Sequence, residues 1–144
     1  MASNKKTYVA GSLTDPKGFQ EKSKLYDLVV QVCEQNSFIP CAPHIEKRKR
    51  DTARQSISPT MIFKWDYECL KQADLVIAYV GIPSIGVGME LGLAAEWLIP
   101  VISFCEDGIE VSPMVLGHPS LLCHIQYKNE AELLEKLNNA LVEV

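Results

Sequence analysis

No run of apolar residues in this chain approaches the ~20 that a membrane-crossing helix needs, so no membrane partner is expected. An excess of positive charge is also missing. Fourteen Lys and Arg stand against 18 Asp and Glu, a formal net charge of −4. Generic binding to nucleic-acid backbones calls for a basic surface, so nucleic acid is not an expected partner either. The five cysteines, Cys33, Cys41, Cys69, Cys105 and Cys123, are odd in number and contain no Cys-x-x-Cys pair. They point to neither a disulfide framework nor a zinc site, and the apolar context of most of them marks them as buried thiols. The first residues run straight into a strand-like segment without the apolar stretch and cleavage site of a secretory leader. A cytoplasmic protein is expected, with the nucleus as the other open compartment. Internal repeats and low-complexity segments are absent.

What is present is a foldable composition: 144 residues, 47% apolar and 22% charged. That is one domain over residues 1–144. Thr7 to Ala10 reads as a short buried strand closed by Gly11-Ser12. Asp15-Pro16 opens a helix, with Asp15 as N-cap and Pro16 at the first helical position. Phe19, Leu25, Leu28, Val29, Val32 and Cys33 give it an apolar face. Ser37 to Ala42 is a second strand candidate. The stretch from His44 to Ser58 is polar and carries Lys47, Arg48, Lys49, Arg50 and Arg54. Ser58-Pro59-Thr60 begins another helix. The run Asp74 to Val80 is nearly all apolar, as suits a central parallel strand buried on both faces. A loop with Gly81, Pro83, Gly86 and Gly88 leads into a helix reaching about Leu98. Pro100 to Cys105 and Leu121 to Tyr127 are further strands, and Glu130 to Val142 is a closing amphipathic helix.

This alternation predicts an α/β fold: a single flavodoxin-like or Rossmann-like domain with helices on both faces of a five-stranded parallel sheet, order 2-1-3-4-5. Ligands in such sheets bind beyond the carboxyl ends of the strands, near the switch in strand order. Gly11-Ser12, the His44 region, the loop from Pro83 to Glu90 and the segment after Cys105 all reach that edge.

The segment Pro83-Ser84-Ile85-Gly86-Val87-Gly88-Met89-Glu90-Leu91-Gly92 is the densest signal. Gly86 and Gly88 allow close approach of backbone to a ligand. A helix N-terminus offers free N–H groups and partial positive charge, and Ser84 adds a hydroxyl, a set able to hold a phosphate. Glu90 falls in the first or second turn. It is either a residue favoured by the helix dipole or a carboxylate kept ionised by that dipole for attack on an anomeric carbon. Asp66 lies mid-helix between Trp65 and Tyr67. It is either solvated or the second carboxylate of one cleft. Trp65 and Trp97 are expected to pack helices against the sheet, and His118 and His124 to be structural.

The stretches Asp66 to Val76 and Pro83 to Gly92 closely resemble the nucleoside 2-deoxyribosyltransferase superfamily, and within it 2'-deoxynucleoside 5'-monophosphate N-glycosidases. Tyr8-Val9-Ala10-Gly11-Ser12 is similar to that family's first strand and loop, and Ser112-Pro113-Met114 to a late serine-containing loop. The resemblance implies catalytic roles for Glu90, Asp66 and Tyr8. Glu90 would attack C1' of the sugar, displace the base and form a glycosyl-enzyme, which water or a second base resolves. Asp66 would contact the sugar and manage the proton on the departing base. Gly11 and Ser12 would floor the pocket. Ser84 and the Gly86 and Gly88 amides would hold a 5'-phosphate. Ser112 would reach the same phosphate from the other subunit of a homodimer with shared active sites. His44 is a candidate contact to base or phosphate. Met89 either lines the base or sugar pocket or packs the core. The basic stretch from Lys47 to Arg54 is either a solvated face or a lid that draws in an anionic nucleotide.

The substrate implied is therefore a small-molecule nucleotide or nucleoside, with no metal or organic cofactor indicated. Transferases of the family tend to carry Asp-Ser-Gly-Thr before the Glu motif, whereas this chain has Pro83 to Gly88, which favours the nucleotide branch. The nucleotide hydrolases follow Gly-Ser with an Arg-Gly-Gly-like loop, whereas here Leu13 to Gly18 carry only Lys17 as a cation. A hydrolase, a deoxyribosyltransferase exchanging bases and a non-catalytic nucleotide-binding module are the three open readings.

Overall fold

The structure is a computed structural model and describes residues 4–144. Five parallel strands run β1 (Lys6–Ala10), β2 (Ile39–Cys41), β3 (Leu75–Tyr79), β4 (Val101–Glu106) and β5 (Leu121–Tyr127). They lie in the order β2-β1-β3-β4-β5, as the alternation of elements predicts. The helices are α1 (Pro16–Gln35), α2 (Pro43–Thr52), α3 (Pro59–Lys71), α4 (Ile85–Glu96), α5 (Pro113–Leu116) and α6 (Glu130–Val142). None of them is long and apolar enough to cross a membrane.

The strand period of two sorts the core into two layers. Val9, Ile77, Tyr79, Ile102 and Phe104 pack with Val29, Cys33, Leu133 and Leu137 on the α1 and α6 side. Tyr8, Ala10, Val76, Ala78 and Val101 pack with Leu70, Leu91 and Ala94 on the α3 and α4 side. All five residues of β3 are buried, so its run is apolar on both faces. Burying each of its larger side chains is worth roughly 1.5–3 kcal/mol. Asp15 and Pro16 occupy the N-cap and first position of α1, and the Ser58 side chain caps α3 by accepting the Met61 N–H.

One element joins the expected set, and two expectations need correction. The polar stretch after His44 contains a helix, α2, whose buried positions are only Pro43 and His44. It is held by Pro43 at its start, by ion pairs and by a buried imidazole, so no apolar repeat announces it. Trp65 is 53% exposed and does not pack against the sheet. Only Cys33 and Cys105 are fully buried, whereas Cys41, Cys69 and Cys123 are partly exposed.

All strands point the same way, so their carboxyl ends share one edge. The chain leaves β1 toward β2 on one side and reaches β3 on the other, which makes the β1/β3 boundary the switch point.

Candidate active site

The switch point collects Glu90, Asp66, His44 and Gly11 around one small cavity of about 20 Å³ beyond the end of β1, with Tyr26 as a further wall. Glu90 comes from the second turn of α4 and Asp66 from the middle of α3. The same two carboxylates also line a larger groove of about 270 Å³ between those helices, with Phe63, Tyr67, Met89 and Gly86. They therefore stand where the two spaces meet. Phe63 and Tyr67 stack with ring centroids 5.6 Å apart and give the groove an aromatic wall.

Glu90 is not held ionised by its helix. It lies beyond the first turn, where the terminal dipole acts. Desolvation by burial, together with the Asp66 charge, pushes its carboxyl up to about 7, against a smaller opposing pull from the Tyr8 hydroxyl. Asp66 is also raised by burial, and the Arg50 charge holds that rise in check. Arg50 belongs to α2, so the basic stretch delivers one cation toward the carboxylates. Tyr8 is 0% exposed, and its hydroxyl has no well-formed hydrogen bond, although Glu90 and Asp66 bear on it. Burial and those charges raise its pKa, so it stays protonated.

His44 is 1% exposed. Its Nε2 lies 2.9 Å from Asp27 Oδ1, so Nε2–H donates to the carboxylate. Arg48 clamps the same carboxylate with two bonds of 2.9 and 2.6 Å and holds it below the usual carboxylate range. Burial lowers the His44 pKa and keeps the ring neutral. Its Nδ1 is thus a free acceptor, buried without a partner in a ring that lines the small cavity. Sequence reasoning missed Asp27 and Tyr26, and it named Arg48 and Arg50 only as members of the basic stretch. The signal for Asp27 was faint: one acid in a helix otherwise read for its apolar face.

Gly11 is required by Tyr26. A Cβ there would lie 2.3 Å from the ring, which donates its hydroxyl to the Ser12 carbonyl at 3.2 Å. Ser12 is buried and does not line the small cavity.

Ser84, Gly88 and Ser112 line a different space, a cavity of about 540 Å³ on the opposite flank of α4. Ser84 is the α4 N-cap and accepts the Val87 N–H at 3.2 Å. The Gly88 N–H donates to the Ser84 carbonyl at 3.0 Å, which leaves Ile85 and Gly86, at the first two helical positions, as donors without an intrahelical partner. Ser112 caps α5 by accepting the Met114 N–H at 3.2 Å. His118 is structural: its Nδ1 accepts from Ser120 N–H at 3.1 Å, and its Nε2–H donates to the Leu91 carbonyl at 2.8 Å. His124 bonds the Ser103 hydroxyl at 2.8 Å within the sheet. Among the described residues, no group of three or more His, Cys, Asp and Glu side chains is arranged to hold a metal ion.

The profile of the nucleoside 2-deoxyribosyltransferase family matches residues 7–140. The chain belongs to that family. It is an enzyme, as its relatives and structural neighbours are. A Methanosarcina mazei protein with the provisional name 2'-deoxynucleoside 5'-phosphate N-hydrolase 1 is 26% identical over 133 residues, 92% of this chain and 81% of that protein. The 5-hydroxymethyl-dUMP N-hydrolase of Tetraodon nigroviridis is 28% identical over 116 residues, covering 78% of this chain and 79% of its own length. In fold, the chain is similar to the CMP N-glycosidase of Clostridium botulinum, with a TM-score of 0.69 at 24% identity over 94% of this chain and 99% of that one.

Proposed function

We propose that this enzyme hydrolyses the N-glycosidic bond of (2'-deoxy)nucleoside 5'-monophosphates and releases free base and a sugar 5-phosphate. The observation that carries the reading is the meeting of Glu90 and Asp66, from separate helices, at one cavity over the end of β1. The names of the relatives in Methanosarcina mazei and Tetraodon nigroviridis support the nucleotide as substrate.

Glu90, once ionised, attacks C1', and the bond to the base breaks with its electron pair leaving on the base nitrogen. Asp66, whose carboxyl burial raises, supplies a proton to the departing base. The Tyr8 hydroxyl steadies the Glu90 carboxylate from beneath. Water then attacks C1' of the glycosyl-enzyme, gives its proton to Asp66 and frees Glu90. The neutral His44 accepts a hydrogen bond from substrate at Nδ1, and Met89 lines the space for the base. Ser84 and the free amides of Ile85 and Gly86 receive the 5'-phosphate at the α4 N-terminus. The Gly88 amide is already engaged, so that glycine helps by leaving room.

In this reading a second copy of the chain covers the exposed apolar residues Ile85, Met89 and Met114 and brings its Ser112 to the phosphate. The enzyme works in the cytoplasm and needs no cofactor.

The test is base release, followed by chromatography, from four dNMPs, four NMPs and the matching nucleosides without an acceptor. Release from monophosphates that is lost in Glu90→Gln supports the reading. Release that requires an added free base and prefers nucleosides assigns base exchange instead. Nucleotide binding with no turnover under either condition overturns both.

A further inference from the structure

Cys41 ends β2, and Cys69 lies near the end of α3. Both pack against the same core layer and open onto the same space, where the Cys69 thiol lies near enough to bear on the Cys41 proton. Both are partly exposed and line one open cavity of about 530 Å³ that also contains Asp66 and Trp65. Neither has a part in the chemistry proposed above. Their neighbours do. Cys69 is three residues beyond Asp66 on the same helix, so the two side chains share a face. Cys41 is the register partner of Tyr8 across β1 and β2.

We propose that Cys41 and Cys69 form an oxidisable dithiol, closed to an intramolecular disulfide by low-molecular-weight aliphatic disulfides, and that closure slows turnover by fixing α3 to the end of β2. The regulatory half of this proposal rests on Asp66 acting in the proposed reaction. Burial and the adjacent sulfur and carboxylates push the Cys41 thiol up, so Cys69 makes the first attack, because the thiolate is the nucleophile. The Cys69 thiolate attacks one sulfur of R–S–S–R, a mixed disulfide forms and RS⁻ departs. Cys41 passes its proton to that RS⁻, then attacks the Cys69 sulfur and expels the second RS⁻. Two protein thiols are oxidised, and one small disulfide is reduced to two thiols.

Bonded sulfurs lie far closer than sulfurs in contact, so closure draws α3 and the β2 end together. Asp66 moves with its helix, and a displacement of this kind costs roughly ten-fold or more in rate. The bridge also closes residues 42–68, including α2 and its Arg50, into a covalent loop.

The experiment treats the full reduced chain with oxidised glutathione, alkylates the remaining thiols and maps tryptic peptides. The expected product joins peptides 25–47 and 65–71, with fragmentation placing the bridge at Cys41 rather than Cys33. Base release falls about ten-fold and returns with dithiothreitol. Cys41→Ser and Cys69→Ser each keep the reduced rate and lose the sensitivity. Alkylation of both cysteines after oxidant treatment overturns the dithiol, and a mapped bridge with an unchanged rate overturns its regulatory role. A reduced chain that releases no base from any substrate fails the N-glycosidase reading instead, while the peptide map still decides the dithiol.

Discussion

His44 Nε2 donates to Asp27 Oδ1 across 2.9 Å, and that bond decides what the imidazole offers to the cavity. With Nε2 protonated and the ring neutral, Nδ1 is left as an acceptor. Imidazole nitrogen chemical shifts measured at pH 7.5 should show the Nε2–H tautomer at His44. In Asp27→Ala that preference should weaken. Stability should fall by about 1.5–3 kcal/mol, the cost of a lost hydrogen bond to a charged group. A native His44 protonated at Nδ1 contradicts the assignment.

Glu90 gives the enzyme a pH signature. Its carboxyl is raised to about 7 by burial, so the ionised fraction falls as pH drops below that value. The acid limb of kcat/KM for the free enzyme should therefore bend near pH 7, well above the ordinary glutamate range. Stability runs the other way. The folded state binds the Glu90 proton more tightly than the unfolded chain, so this contribution is full below about pH 4.5 and is lost as pH rises through 7. Glu90→Gln removes that loss, and its Tm advantage over wild type should be larger at pH 8 than at pH 5. Equal Tm differences at the two pH values would refute the shift.

Tyr8→Phe separates chemistry from folding. The hydroxyl is buried without a well-formed partner, so its removal should change stability by less than about 1 kcal/mol. The same hydroxyl lowers the Glu90 pKa, so its loss should move the acid limb of the rate profile to higher pH. A limb that stays in place would show that Tyr8 does not steady the carboxylate.

Gly11→Ala places a methyl group 2.3 Å from the Tyr26 ring. Tyr26 packs edge-on against His44 at 5.4 Å, so the displaced ring disturbs the cavity wall as well as the core. Overpacking of this kind costs about 1–3 kcal/mol, measurable by urea denaturation, and base release should fall with it. Gly11→Ala combined with Tyr26→Phe should recover little, because the ring carbons clash as well as the hydroxyl.

The strands, the four longer helices and their order were legible because each carries its own period or cap: the unbroken β3, Asp15-Pro16 before α1, Ser58 before α3. Helix α2 was not, because an imidazole and ion pairs hold it in place of an apolar stripe. Glu90 and Asp66 could be singled out from their motif, but not the sign of the electrostatics. Glu90's position near a helix start implied an ionised group, whereas burial beside Asp66 raises it. The Asp27–His44–Arg48 link joins α1 to α2 and has no local pattern at all. Such contacts depend on how the elements meet, which spacing along the chain does not encode.

Helix α4 divides two chambers with one backbone of twelve residues. Gly86, Met89, Glu90 and Leu93 face one chamber, while Gly88, Gly92 and Ala95 face the other. A substitution on either flank reshapes its own chamber and leaves the opposite wall untouched. With a nucleotide placed across the helix start as proposed, its two ends could then be retuned independently, and descendants of this chain could change what they select without rebuilding how they react.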